Sequence, residues 1–131
     1  MSIVVAYTPD AYGQAALDHG AGEAVRRDTS LVVVNATKGD ALVDPRYAHE
    51  DQIATITTEL EAAGLDVTVR HEVVPDVAQA VLEVARETDA ALIVVGVRHR
   101  SPVGKALMGS VGQRILLDAR CPVLAVKEDG A

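Results

Sequence analysis

The chain has no phenylalanine, no tryptophan, three tyrosines and one cysteine in 131 residues. Without large aromatic rings, its core must be closed by Val, Ala, Leu and Ile. That composition suits buried parallel strands with closely packed, alanine-rich helices. The lone Cys121 excludes a disulfide within the chain and fits a reducing compartment. No apolar run approaches the ~18 residues needed to cross a bilayer, and the amino terminus enters an apolar strand with no basic lead. A cytoplasmic protein without membrane contact is expected. A net charge of -7 with so few aromatic rings also lacks the basic, base-stacking surface of a nucleic-acid binder, so no nucleic-acid partner is expected.

One absence is local. Residues 96 to 114 contain no Asp or Glu, yet hold Arg98, Arg100, Lys105 and Arg114. This segment follows the β-branched run of residues 91 to 95, which ends at Gly96, and it leads to Gly109-Ser110. Ser110 with Gln113 fits a capping box, which predicts Ser110 as the N-cap of a last helix over residues 110 to 119. The unpaired N–H groups of a first helical turn and the positive end of its dipole favour an anion. A basic loop that is merely solvated, or that faces a partner chain, is the plainer alternative.

The remaining pattern alternates strands and helices within one domain, residues 1 to 131. A strand over 3 to 7 meets the turn Thr8-Pro9-Asp10, where Thr8 or Asp10 can cap a helix over 11 to 27. A strand over 31 to 34 ends at Asn35 and is followed by a polar connection. A helix over 49 to 63 ends before Gly64. Val67, Val69, His71 and Val73 then alternate with polar residues, the period of a strand with one wetter face. His71 on the apolar side reads as a satisfied core or rim residue, since no second ligand-type residue sits at a metal spacing. Pro75-Asp76 stops that strand and caps a helix burying Val77, Ala80, Val81, Val84 and Ala85. The last helix should bury Val111, Ile115, Leu116 and Ala119, before Pro122 and a strand over 123 to 126.

Strict alternation implies an α/β fold: a doubly wound, five-stranded parallel sheet with helices on both faces. The most apolar strands belong in the centre and the alternating third strand at an edge, which gives the order 3-2-1-4-5. Ligands of such sheets bind beyond the strand carboxyl ends where the order reverses, here between strands one and four. A Walker loop is excluded, because Gly104-Lys105 is followed by Ala106. The dinucleotide fingerprint is absent, and so are the strand-end acids of a phosphoacceptor domain. No paired carboxylates, catalytic triad or metal cluster can be assembled. His99 and Asp10 are the only candidate bases, and each is better read as a loop residue or a cap. No catalytic residue is assigned and any ATPase activity should be slow. Cys121 reads as a small buried hydrophobe.

With these features the chain resembles the universal stress protein family along its length. That family carries Gly, two residues, Gly, nine residues, then Gly and Ser or Thr, followed by a helix and a C-P-V-L-x-V strand. Gly96, Gly109-Ser110 and Cys121-Pro122-Val123-Leu124-Ala125-Val126 match. His99 stands at the second glycine's position. Aligning on Ala16-Leu17 puts Thr8 where ATP-binding members usually place an Asp. The resemblance implies a regulatory protein binding an adenine nucleotide, ATP first, with any Mg2+ carried by the nucleotide. It implies that Ala6, Tyr7, Thr8 and Ala36 line the base pocket, Val95, Gly96 and His99 the ribose, and Gly109, Ser110, Val111 and Gly112 the phosphates. Arg98, Arg100 and Lys105 join that set on charge alone. It also implies a homodimer through the edge strand Val123, Leu124, Ala125 and Val126. Thr8 and His99 keep a second reading open, a dimeric interaction module of the same fold without nucleotide.

Overall fold

The computed structural model describes residues 1–37, 48–97 and 109–128. Nine elements alternate along them: β1 Ser2–Ala6, α1 Ala11–Arg27, β2 Ser30–Thr37, α2 Glu50–Ala62, β3 Val67–Val73, α3 Val77–Glu87, β4 Ala90–Val97, α4 Ser110–Asp118 and β5 Val123–Lys127. The strands form one parallel sheet in the order β3-β2-β1-β4-β5, as the sequence predicts. Successive residues of a strand face opposite sides, and both sides are covered. Ile3, Val5, Leu31, Val33, Leu92 and Val94 pack under α1 and α2, while Val4, Val32, Val34, Ile93 and Val95 pack under α3 and α4. This two-sided burial is why the central strands read as unbroken apolar runs. Ala15, Ala16, Gly20 and Ala24 are all buried on α1, so a stripe of small side chains lets that helix lie close to the sheet.

Helix ends follow local chemistry. Asp10 and Asp76 cap α1 and α3, each accepting a hydrogen bond from the backbone N–H three residues on, Gly13 and Gln79 respectively. The N–H of His49 donates to Gln52 Oε1 at the start of α2. Gly64, just past α2, has φ of +88°, a left-handed conformation that glycine adopts without a Cβ penalty.

Four details differ from the sequence expectation. β2 continues through Asn35 to Thr37, and both polar residues are buried inside the sheet. Val73, at the end of the edge strand β3, is 58% exposed rather than on a buried face. On α4, Val111, Ile115 and Ala119 form a single i, i+4 stripe against the sheet, so Leu116 lies off it and is 50% exposed rather than buried. β5 extends to Lys127, which gives the edge strand one charge.

Candidate functional site

The carboxyl ends of β1 and β4 meet where the strand order reverses. There the turn after β1 is closed by side-chain chemistry. Asp10 Oδ1 accepts from the Gly13 N–H at 2.8 Å and from the Thr8 hydroxyl at 2.8 Å. A Cβ on Gly13 would lie 1.8 Å from the Thr8 carbonyl oxygen, so only glycine lets the turn fold onto the helix. A Cβ on Gly96 would lie 2.2 Å from the Tyr12 carbonyl oxygen. The first turn of α1 is therefore drawn backbone to backbone against both strand ends. Gly96, read as a ribose contact, has a packing duty of its own.

The residues predicted to line the base and ribose divide between the layers. Tyr7 is buried in the cluster under α1 and α2. Burial first, then the charge of Asp10, raises its phenol above the ordinary value and keeps it neutral. Ala6 and Ala36 are partly buried on the opposite layer, and Val95 is buried there. What these four residues share is a place at or near the carboxyl ends of three adjacent strands. Thr8 has already donated its hydroxyl proton to Asp10, so toward a ligand its Oγ1 is an acceptor.

The start of α4 departs from the expected capping box. Gly109, not Ser110, is the N-cap, with φ −57° and ψ 163° and no side-chain cap. The first helical bond runs from the Gln113 N–H to the Gly109 carbonyl at 2.9 Å. Ser110, Val111 and Gly112 occupy the first turn, ahead of that bond, so the helix offers their N–H groups no acceptor. The first turn contains no acidic residue. Nothing described lies within 4 Å of a Cβ built on Gly109. Unlike Gly13 and Gly96, this glycine answers no crowding from the rest of the described chain.

Arg114 is engaged elsewhere on the protein. Its guanidinium pairs with Asp76 Oδ2 at the start of α3 and reaches Gln79 Oε1 at 3.4 Å. Arg98, His99, Arg100 and Lys105 lie outside the described residues. Asp10 is spent as a cap. Among the described residues no three His, Cys, Asp or Glu side chains gather as a metal site. Cys121 is half-buried, and burial pushes its thiol pKa up, away from a reactive thiolate. No helix of the described residues is long and apolar enough to cross a membrane.

A polar cluster beside β1 escaped the sequence reading. Asn35, fully buried, donates from Nδ2 to the Tyr7 carbonyl at 2.8 Å and accepts at Oδ1 from the Ala48 N–H at 2.8 Å. His71 Nε2 lies 2.7 Å from the Ala48 carbonyl, so the satisfied-rim reading of this histidine holds. The only signal for Asn35 was an amide at the end of an apolar run.

The universal stress protein family model matches residues 1–127. A universal stress protein of Mycolicibacterium smegmatis is 48% identical over 128 residues, 98% of each chain. Among solved structures, a universal stress protein from Archaeoglobus fulgidus superposes with a TM-score of 0.79 at 25% identity, covering 96% of this chain and 97% of that one. A structure from the same organism in complex with dAMP gives a TM-score of 0.68 at 22% identity, over 96% of each chain. A universal stress protein in complex with cAMP gives 0.70 at 24% identity, over 97% of this chain and 96% of that one. The chain described above belongs to the universal stress protein family.

Proposed function

We propose that this protein binds an adenine nucleotide, ATP first, in the crevice between the carboxyl ends of β1 and β4, and that it acts as a cytoplasmic regulatory binding protein in the response to stress. The observation that carries the reading is the start of α4. A side-chain-free N-cap has no described atom within 4 Å of where its Cβ would stand, with three first-turn N–H groups beyond it and no acidic residue in that turn. Phosphate is the guest such a turn suits. The dAMP and cAMP held by two solved structures of the same fold support an adenine nucleotide as the ligand. Arg98, Arg100 and Lys105 would add charge around the phosphates, and His99 would face the ribose. The reading is binding, with hydrolysis slow at most.

Calorimetric titration with Mg-ATP, AMP and cAMP at fixed salt tests this. Saturable binding is expected in the native protein, weakened about tenfold or more by Ser110→Asp, which sets a carboxylate beside the phosphate-facing turn. A folded protein that ignores all three nucleotides at millimolar concentration would sink the proposal. That result would favour the interaction module, which the Thr8 hydroxyl's commitment to Asp10 also supports.

The same reading includes a homodimer. β5 is an edge strand whose exposed apolar side chain is Ala125, preceded by the half-buried Val123 and Leu124. Val126 faces inward and is buried. Unprotected edges invite another strand, and antiparallel pairing about a two-fold axis would cover this one. Sedimentation velocity should show a dimer for the native chain and a monomer for Ala125→Glu, which brings like charges together at the axis. A native monomer at tens of micromolar would refute the dimer without touching the nucleotide site.

A further inference from the structure

We propose that Asp76 and Arg114 are positioning residues for the phosphate-binding turn, their ion pair fixing the amino end of α4 against α3. This inference rests on the nucleotide reading given above.

α4 has nine residues, no side-chain cap and one fully buried side chain, Ile115. A helix this short does not hold itself together in water and takes its order from what it touches. Its apolar stripe of Val111, Ile115 and Ala119 packs into the cluster that the sheet shares with the buried face of α3, while Leu117 is 80% exposed. A single stripe sets how deep a helix sits. It leaves roll and tilt less well defined.

Arg114 supplies a lateral tie. It stands two residues beyond Gly112, and its guanidinium meets Asp76 Oδ2 at the cap of α3 and Gln79 Oε1 on α3 while its Nε lies 3.8 Å from Asp118 of its own helix. Asp76 is itself fixed, because Oδ1 accepts from the Gln79 N–H at 3.1 Å as the cap of α3. α3 is in turn anchored by the buried Ala78, Val81, Val84 and Ala85. A continuous path therefore runs from the packed core through Asp76 and Arg114 to the turn that presents Ser110, Val111 and Gly112. The pair also holds both partners charged: the hydrogen bond between them lowers the Asp76 pKa and raises that of Arg114.

A direct phosphate contact by Arg114 would compete with Asp76 for the same guanidinium, so the two roles predict opposite effects for one substitution. Asp76→Asn keeps a good cap for α3 but removes the charge that holds Arg114. If Arg114 positions α4, Asp76→Asn and Arg114→Gln should each weaken Mg-ATP binding roughly three- to fivefold, the scale of an exposed ion pair, and the double variant should be no weaker than the worse single. Amide hydrogen exchange over residues 113 to 117 of the nucleotide-free protein should quicken in both single variants, with melting temperatures within a few degrees of native. Tighter or unchanged binding in Asp76→Asn, beside a loss in Arg114→Gln, would make Arg114 a direct ligand and overturn the positioning role. Native exchange in both variants would overturn it as well. If the native protein binds ATP and both substitutions leave affinity untouched, this inference alone fails. If the native protein binds no nucleotide, the functional reading fails and takes this inference with it.

Discussion

Replacing Gly96 by alanine is expected to cost about 3 kcal/mol of folding stability, the upper part of the range for forcing an atom into packed structure. The new Cβ would sit 2.2 Å from the Tyr12 carbonyl oxygen and 2.6 Å from its carbonyl carbon. Those are backbone atoms of the first turn of α1 and cannot swing aside as a side-chain tip can. That turn is also tied down through Asp10, which caps it and holds Thr8. Relief must come from lifting α1 off the end of β4. Thermal denaturation should show a melting temperature lower by roughly 10 °C, given a few degrees per kcal/mol for a chain of this size. Gly109→Ala is the control. Its Cβ meets nothing described within 4 Å, so the loss should stay within about 1 kcal/mol, the modest cost of alanine at an N-cap. Two glycines of one motif would thus separate into one kept for packing and one left open to a ligand. A Gly96→Ala protein as stable as native would show that α1 and β4 are not locked together at this point.

The strand order was legible because burial on two faces and burial on one leave different patterns. β1 and β4 read as solid apolar runs, while β3 alternates, and the order 3-2-1-4-5 places each where its pattern fits. The crevice followed from that order by topology alone. The finer geometry was less legible, since it depends on contacts between elements distant in sequence. Ser110 and Gln113 carry the spacing of a capping box, yet the helix starts one residue earlier in register, and Gly109 takes the cap position. Leu116 looked buried because apolar residues 115 to 117 are consecutive in sequence, but a helix of one stripe can bury only one of them. Arg114 joined the basic segment by proximity along the chain, whereas in space it answers Asp76, 38 residues away. Asn35 was hardest to see. A polar residue at the end of an apolar run looks like the point where a strand leaves the core, and here it is a member of the core.

Asn35→Ala is expected to cost about 2–4 kcal/mol, because it leaves two buried groups without partners, each worth roughly 1–3 kcal/mol when unsatisfied. The Tyr7 carbonyl would lose its bond from Nδ2, and the Ala48 N–H would lose its bond to Oδ1, both at 2.8 Å in the native protein. Ala48 is 1% exposed, so water could reach its N–H only by opening the structure around it. The truncation also leaves a small void between β1 and the residue leading into α2, adding a packing loss of its own. His71 would still hold the Ala48 carbonyl at 2.7 Å. The segment would therefore be loosened rather than released. The effect should reach the site, because Tyr7 immediately precedes Thr8 and its carbonyl orientation helps fix how the chain leaves β1. Urea denaturation should report the stability loss, with Mg-ATP affinity falling in the same variant under conditions where it remains folded. A loss below about 1 kcal/mol would mean that a water molecule replaces the amide and satisfies both groups. The buried amide would then be a filler of space rather than the tie between the strand end and the second helix.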